Sequence, residues 1–374
     1  MMIFNKTAGW IRVVILLTAM LPVASLAQNG GNLYKVNAEI EKKVIDWRRD
    51  FHEHPELSNR EFRTSKKVAG HLRSLGMEVT EGIAITGVKG VLKGGHPGPV
   101  VALRADMDAL PIVEKTDVPF TSKVDVIFGQ HMASMLEAGK IACKSGPIMA
   151  GASDFKIIVQ GKGSHGSAPW SSVDPIAISA QIVNSIQTIV SRNINIVENP
   201  AVVTVGAIQG GNRSNIIPES VEMEGTIRVF SDEDQKFIYK RLTAIAENIA
   251  EAEGGKAIVK VPYTMEYPVT INDEALSSQM LPTLEQSAGK NNVVEIKPIT
   301  GAEDFSMFAQ KVPGLCYYIG GMPKGQKPST AAPHHTAEFF LDESSFVTGV
   351  NTMTNLVLDY LDMYPEMAGT SGEE

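Results

Sequence analysis

Between Phe155 and Val261 the hydrophobic period changes in a fixed order. A strand FKIIVQ is followed by a helix from Asp174-Pro175 to Arg192, a strand VVTVGAI, an alternating strand SVEMEGTIRV, a helix from Ser231 to Glu253 and a strand AIVKV. Asp174 with Pro175 at the first helical position, and Ser231 with Asp234 three residues on, are helix starts, while Gly254 is a stop. The order β-α-β-β-α-β predicts a ferredoxin-like α+β unit with its own core, and few other folds accommodate it.

The flanking segments predict a different layer structure. Asn37 opens a helix through Ile40, Val44, Trp47 and Phe51, and a second runs through Phe62, Val68, Leu72 and Leu75 to Gly76. Val88 to Leu92 and Pro99 to Ala105 are expected to be strands, the latter covered on both faces because its apolar run is nearly continuous. After the ferredoxin-like unit come a helix over Asp273 to Ser287, strands VVEIK and LCYYIG, and a closing helix from Asp342 to about Tyr364. The expected architecture is an α/β mixed-sheet domain interrupted by the smaller unit, with parts at residues 28–153, 154–264 and 265–374.

Residues 1–27 have the form of a secretory leader, with Lys6 and Arg12, an apolar run from Val13 to Val23, and Ser25-Leu26-Ala27 at the cleavage point. A membrane span needs about 20 unbroken apolar residues, and this run is shorter and contains Pro22. Loss of the leader takes the net charge from −8 to −10, so no basic surface is available to hold nucleic acid. The expected location is secreted or periplasmic, with no membrane attachment after cleavage. Cys143 and Cys316 have neither zinc-finger nor redox spacing.

WRRDFHEHPELSNREFRTS, VALRADMDALPIVEKTDVPF, FGQHM, GKGSHGSAPWSSVDPI, VTVGAIQGGNRSNIIP, EGTIR, GAEDFSMF and HHTAEFFLDE follow one another in the chain. In that order they resemble the M20 family of metal-dependent peptidases and amidohydrolases, in the branch of hippurate hydrolase and indoleacetyl-amino-acid hydrolase. The resemblance implies a zinc-exopeptidase-like domain interrupted by a ferredoxin-like lid that makes a homodimer. The implied reaction is hydrolysis of the amide of a small N-acyl amino acid by two divalent ions, zinc or manganese, which activate a water while a glutamate moves the proton.

The same resemblance exposes a gap. Family members carry a Cys-Gly-His-Asp motif, a helix, a strand ending in Glu-Glu and a further helix before the strand ending F-G-x-H, whereas this chain runs VPFTSKVDVIFGQHM directly. The mixed-sheet domain is thus expected to be incomplete, with the ligand cysteine, a ligand histidine, the general base and its neighbouring glutamate missing near residues 123–125. The residues alone point the same way: Ala105 to Val126 contain Pro111 and Pro119 and no helical period, although a parallel crossover usually needs a helix.

By resemblance, His131 and His335 keep metal-ligand positions, Asp106 a carboxylate position that orients the site, His165 the lid histidine that steadies the oxyanion, and Asn215 and Arg228 the substrate grip. The alternatives are a strand-end histidine satisfied by backbone for His131, an exposed loop for His335, a solvent-facing turn for His165, and ordinary turn and strand positions for Asn215 and Arg228. Two imidazoles do not make a bridged metal pair, so the chain is expected to lack the pair and the activity. A non-catalytic N-acyl amino acid binding or dimerisation protein, and an internal truncation of a complete enzyme's sequence, are the other readings.

Overall fold

A computed structural model describes residues 34–363, apart from residues 55, 57–58, 96–97 and 108–123. The leader at 1–27, the polar tail and Lys123 at the expected gap lie outside the described residues.

The chain opens with helices α1 (Ala38–Glu53) and α2 (Phe62–Ser74) and a hairpin of β1 (Glu78–Ile83) and β2 (Gly87–Val91). Strands β3 (Val101–Leu103), β4 (Val126–Glu137), β5 (Ile141–Cys143) and β6 (Gly146–Met149) lead to β7 (Gly151–Gln160). Then come β8 (Ser164–His165), α3 (Pro175–Asn193), β9 (Ala201–Gly210), β10 (Ile216–Ile217), β11 (Ser220–Val229), α4 (Asp232–Ala252), β12 (Lys256–Lys260) and β13 (Glu266–Tyr267). The chain closes with β14 (Thr270–Asn272), α5 (Glu274–Ala288), β15 (Val293–Glu295), α6 (Phe305–Ala309), β16 (Gly314–Met322) and α7 (Ser345–Asp362).

The ferredoxin-like unit forms as the alternating periods require. Its antiparallel sheet has the order β12-β7-β11-β9, with β13 extending β7. Inward residues Phe155, Ile157, Val159, Val221, Met223 and Ile227 meet Ile178, Ile182, Ile186 and Ile189 of α3 and Ile238, Leu242 and Ala246 of α4. The helices start where expected: Asp174 accepts from the Ile176 amide and Ser231 from the Asp234 amide, each satisfying a donor the helix cannot.

The rest of the chain builds a mixed sheet, β15-β5-β16-β4-β3, in which β16, β4 and β3 run parallel. One face packs Val126, Phe128, Leu315, Tyr317 and Ile319 against Leu276, Met280 and Leu284 of α5 and Leu356 and Tyr360 of α7. On the other, Ile127 and Cys316 meet Phe305 of α6.

Here the structure corrects one expectation. The Pro99 to Ala105 strand is not covered on both faces: only Val101–Leu103 pair, β3 lies at the sheet's edge, and Leu103 is 55% exposed. The apolar run is suited to an interior strand, but among the described residues β3 has one hydrogen-bonded neighbour, β4. Asp125 ties the entry to β4 back to this edge, its amide donating to the Val100 carbonyl and its carboxylate accepting from the Val100 amide.

Candidate active site

His131 lies near the end of the parallel stretch of β4 opposite Tyr318 of β16, and the two rings are 5.7 Å apart. Gly129, two residues earlier on the same strand face, lets Phe305 lie against the strand; a Cβ there would meet the ring at 2.7 Å. The His131 Nδ1 donates to the Met132 carbonyl oxygen at 2.7 Å, which fixes the tautomer and leaves Nε2 with its lone pair. That is the state in which an imidazole can accept a metal ion.

The ring facing His131 at 5.5 Å is His334. Its Nε2 accepts from the Ser134 amide at 3.2 Å, and its ring lies 5.0 Å from Phe339, so its lone pair is already used. Burial, with His131 and His335 nearby, lowers its pKa and keeps the ring neutral as that bond requires. His335 is exposed, with φ of 65° in the left-handed region, and its ring lies 6.5 Å from that of His334.

Asp106 is held by Arg104. The Arg104 guanidinium, at the end of β3, pairs with Asp106 at 3.2 Å, with Glu303 at 3.1 Å and with Asp304. Burial works to lower the guanidinium's pKa, but the three carboxylates outweigh it and the net shift is upward. Glu303 goes the other way: burial, a hydrogen bond with Asp304 and repulsion from its acidic neighbours outweigh Arg104 and push its carboxyl up to about 8. Among the described residues, Asp106, Glu303 and Asp304 form the group of three acidic or imidazole side chains close enough to share an ion, and a guanidinium is already paired with all three. Arg104 was not singled out from the sequence, although a lone cation between an apolar run and two aspartates is the signal that marks it.

The lid residues fall into two places. His165 on β8 pairs across to Ile216 of β10, beside Asn215, whose carbonyl accepts from the Gly166 amide. The His165 Nδ1 accepts from the Ser167 amide, and the ring lines an open cleft of about 680 Å³ with Asn212, Pro218 and Glu219. Arg228 stands at the other end of β11, half-buried, its guanidinium donating to Thr226 and to the Ile227 carbonyl. It is on the face away from the helices, as the alternation predicts, and burial lowers its pKa while Asp154 opposes that. Eight residues of strand between Ser220 and Arg228 span on the order of 25 Å, so the lid of one chain does not bring His165 and Arg228 to one small molecule.

Comparison with known proteins agrees with this layout. Residues 149–254 match the peptidase dimerisation domain of the M20 family. Thermostable carboxypeptidase 2 of Saccharolobus solfataricus is 36% identical over 374 aligned positions, which take in 83% of this chain and 93% of the relative. N-acetylcysteine deacetylase of Bacillus subtilis is 32% identical, with 86% of this chain and 97% of the relative covered. The crystal structure of the Bacillus subtilis YXEP protein, described as a dinuclear metal-binding peptidase from the M20 family, superposes with a TM-score of 0.68 at 28% identity, covering 87% of this chain and 99% of that one. Identity at this level across nearly the full length of hydrolases, carried by the fold built above, means that the chain belongs to the M20 family of peptidases and amidohydrolases.

Proposed function

We propose that the family reaction from which this chain derives is removal of the acyl group from a small N-acyl amino acid or conjugate outside the cytoplasm, and that the chain as written does not complete it. Arg228, held by Thr226 and the Ile227 carbonyl, is suited to grip an amino-acid carboxylate. Asn215 and His165, at the far tip of the lid, would serve the site of a second subunit, His165 donating through Nε2 to the developing oxyanion. His131 and His335 are the donors left for an ion.

The residues present do not fit a bridged pair of divalent ions. The single observation that carries this is the pairing of Arg104 with all three members of the acidic cluster, while the nearest ring to His131 belongs to a histidine whose lone pair is spent on Ser134. A bridged pair needs several anionic donors, whereas here Glu303 holds its proton up to about pH 8 and Asp106 and Asp304 are already paired with the Arg104 guanidinium. The alignment with the archaeal carboxypeptidase points the same way: it spans more positions than this chain supplies, so several tens of the relative's positions have no counterpart here.

The test is metal content and turnover together. Purified mature chain, given zinc or manganese, is expected to hold fewer than two tight ions by native mass spectrometry and to leave N-acetyl amino acids and benzoylglycine intact. Two tight ions with hydrolysis would overturn the proposal.

A further inference from the structure

The lid joins the mixed-sheet half of the molecule at two chain crossings, Ala150 between β6 and β7, and Pro268 between β13 and β14. The crossings run side by side. Glu266 and Tyr267 pair with Ser153 and Ala152 of β7, and Thr270 pairs with Met149 of β6. Gly151 permits this approach: a Cβ there would lie 3.1 Å from both the Tyr267 carbonyl oxygen and the Val269 nitrogen. A joint of two adjacent strands is a place about which a lid can turn as one body.

We propose that Asp232 is the positioning residue that sets the angle of this joint. One carboxylate oxygen accepts from the amide of Val269, the residue just past the second crossing, at 3.0 Å. The other accepts from the Gln310 side chain at 2.9 Å. Asp232 is the first residue of α4, the 21-residue helix of the lid, where the helix end favours a negative charge. Gln310 caps the C-terminal end of α6, and Glu303 and Asp304, held by Arg104, precede that helix. One carboxylate therefore ties the lid's longest helix both to the joint and to the element carrying the Arg104 cluster. The two oxygens divide the work: the Val269 bond closes the joint, and the Gln310 bond fixes the lid's direction from it. These contacts involve neither Arg228 nor any other residue of the proposed reaction and so do not rest on it.

The test reads lid position directly in the full mature chain. Spin labels go on Glu247→Cys in α4 and Gln286→Cys in α5, both exposed, in protein diluted with unlabelled chain so that distances within one molecule are read. Cys143 and Cys316 resist labelling because burial raises both thiol pKa values. Gln310→Ala is expected to broaden or displace the distance distribution while the Val269 amide stays protected from hydrogen exchange. Asp232→Ala is expected to change both. An unchanged distribution in Gln310→Ala, or unchanged Val269 protection in Asp232→Ala, overturns the proposal.

Discussion

Asn272 is fully buried, and its one side chain joins β14 to β16 and to the turn between β5 and β6: the amide nitrogen donates to the carbonyls of Lys144 and Cys316 at 2.8 Å each, and its oxygen accepts from the Cys316 amide at 2.7 Å. Asn272→Ala leaves these groups buried and unpaired and is expected to cost about 3 kcal/mol, read as a fall in the urea midpoint at constant slope. Asn272→Asp keeps the shape but turns a donor into an acceptor facing two carbonyls, so it should be worse than alanine. Glu303 gives a pH signature of its own. Its folded pKa is raised, so the folded state holds a proton that the unfolded state has released; stability from this group is full below about 4.5 and is lost as pH climbs through about 8. Glu303→Gln removes that slope. The two proteins should match in urea stability near pH 4.5, and the variant should be the more stable above pH 8. A constant difference across the range would show that Glu303 carries no extra proton.

At the scale of elements, what the sequence made legible was what local pattern decides. The lid's two helices, their caps and the strand order follow from period, Asp174, Pro175 and Ser231, because each signal is local and the core they build is closed within residues 155–269. The motifs single out His131 and His335, but not their contacts, since the approach of His334 to His131 and the grip of Arg104 on Glu303 and Asp304 join residues about 200 apart. The misread strand has the same cause: Pro99 to Ala105 has an interior strand's composition, and only the sheet's strand order shows that it ends the sheet. That edge has a consequence. Leu103, 55% exposed, lies on this edge, beside which no further strand pairs among the described residues, and such an edge is a template for another chain. The protein should self-associate above a threshold concentration, and Leu103→Lys should raise that threshold in light scattering without lowering the urea midpoint. Equal scattering from both proteins would move the source of association elsewhere.

The molecule as a whole has separate cores. The lid's buried cluster shares no residue with the clusters that pack α5, α6 and α7 on the mixed sheet, and the two halves join through two strands and the Asp232 contacts. The halves are unequally finished: the lid sheet is backed by two long helices, while the mixed sheet ends, among the described residues, in an exposed strand and α1 has no fully buried residue. Heating should therefore give two calorimetric transitions, with the amides of β7 and β11 the last to exchange. Metal addition then separates the possible site chemistries. An ion that binds the folded mixed-sheet half at a thousand times its Kd adds about 4 kcal/mol to that half alone, so a binuclear centre would drive the first transition upward and leave the second in place. With Arg104 paired to the acidic cluster, zinc or manganese should move the first transition little if at all. Arg104→Gln should lower that transition, because it strips the cation from the largely buried Asp304 and its neighbour Glu303, and should make it respond to added manganese. A manganese response as large in the unaltered protein as in the variant would mean that the guanidinium does not block the cluster.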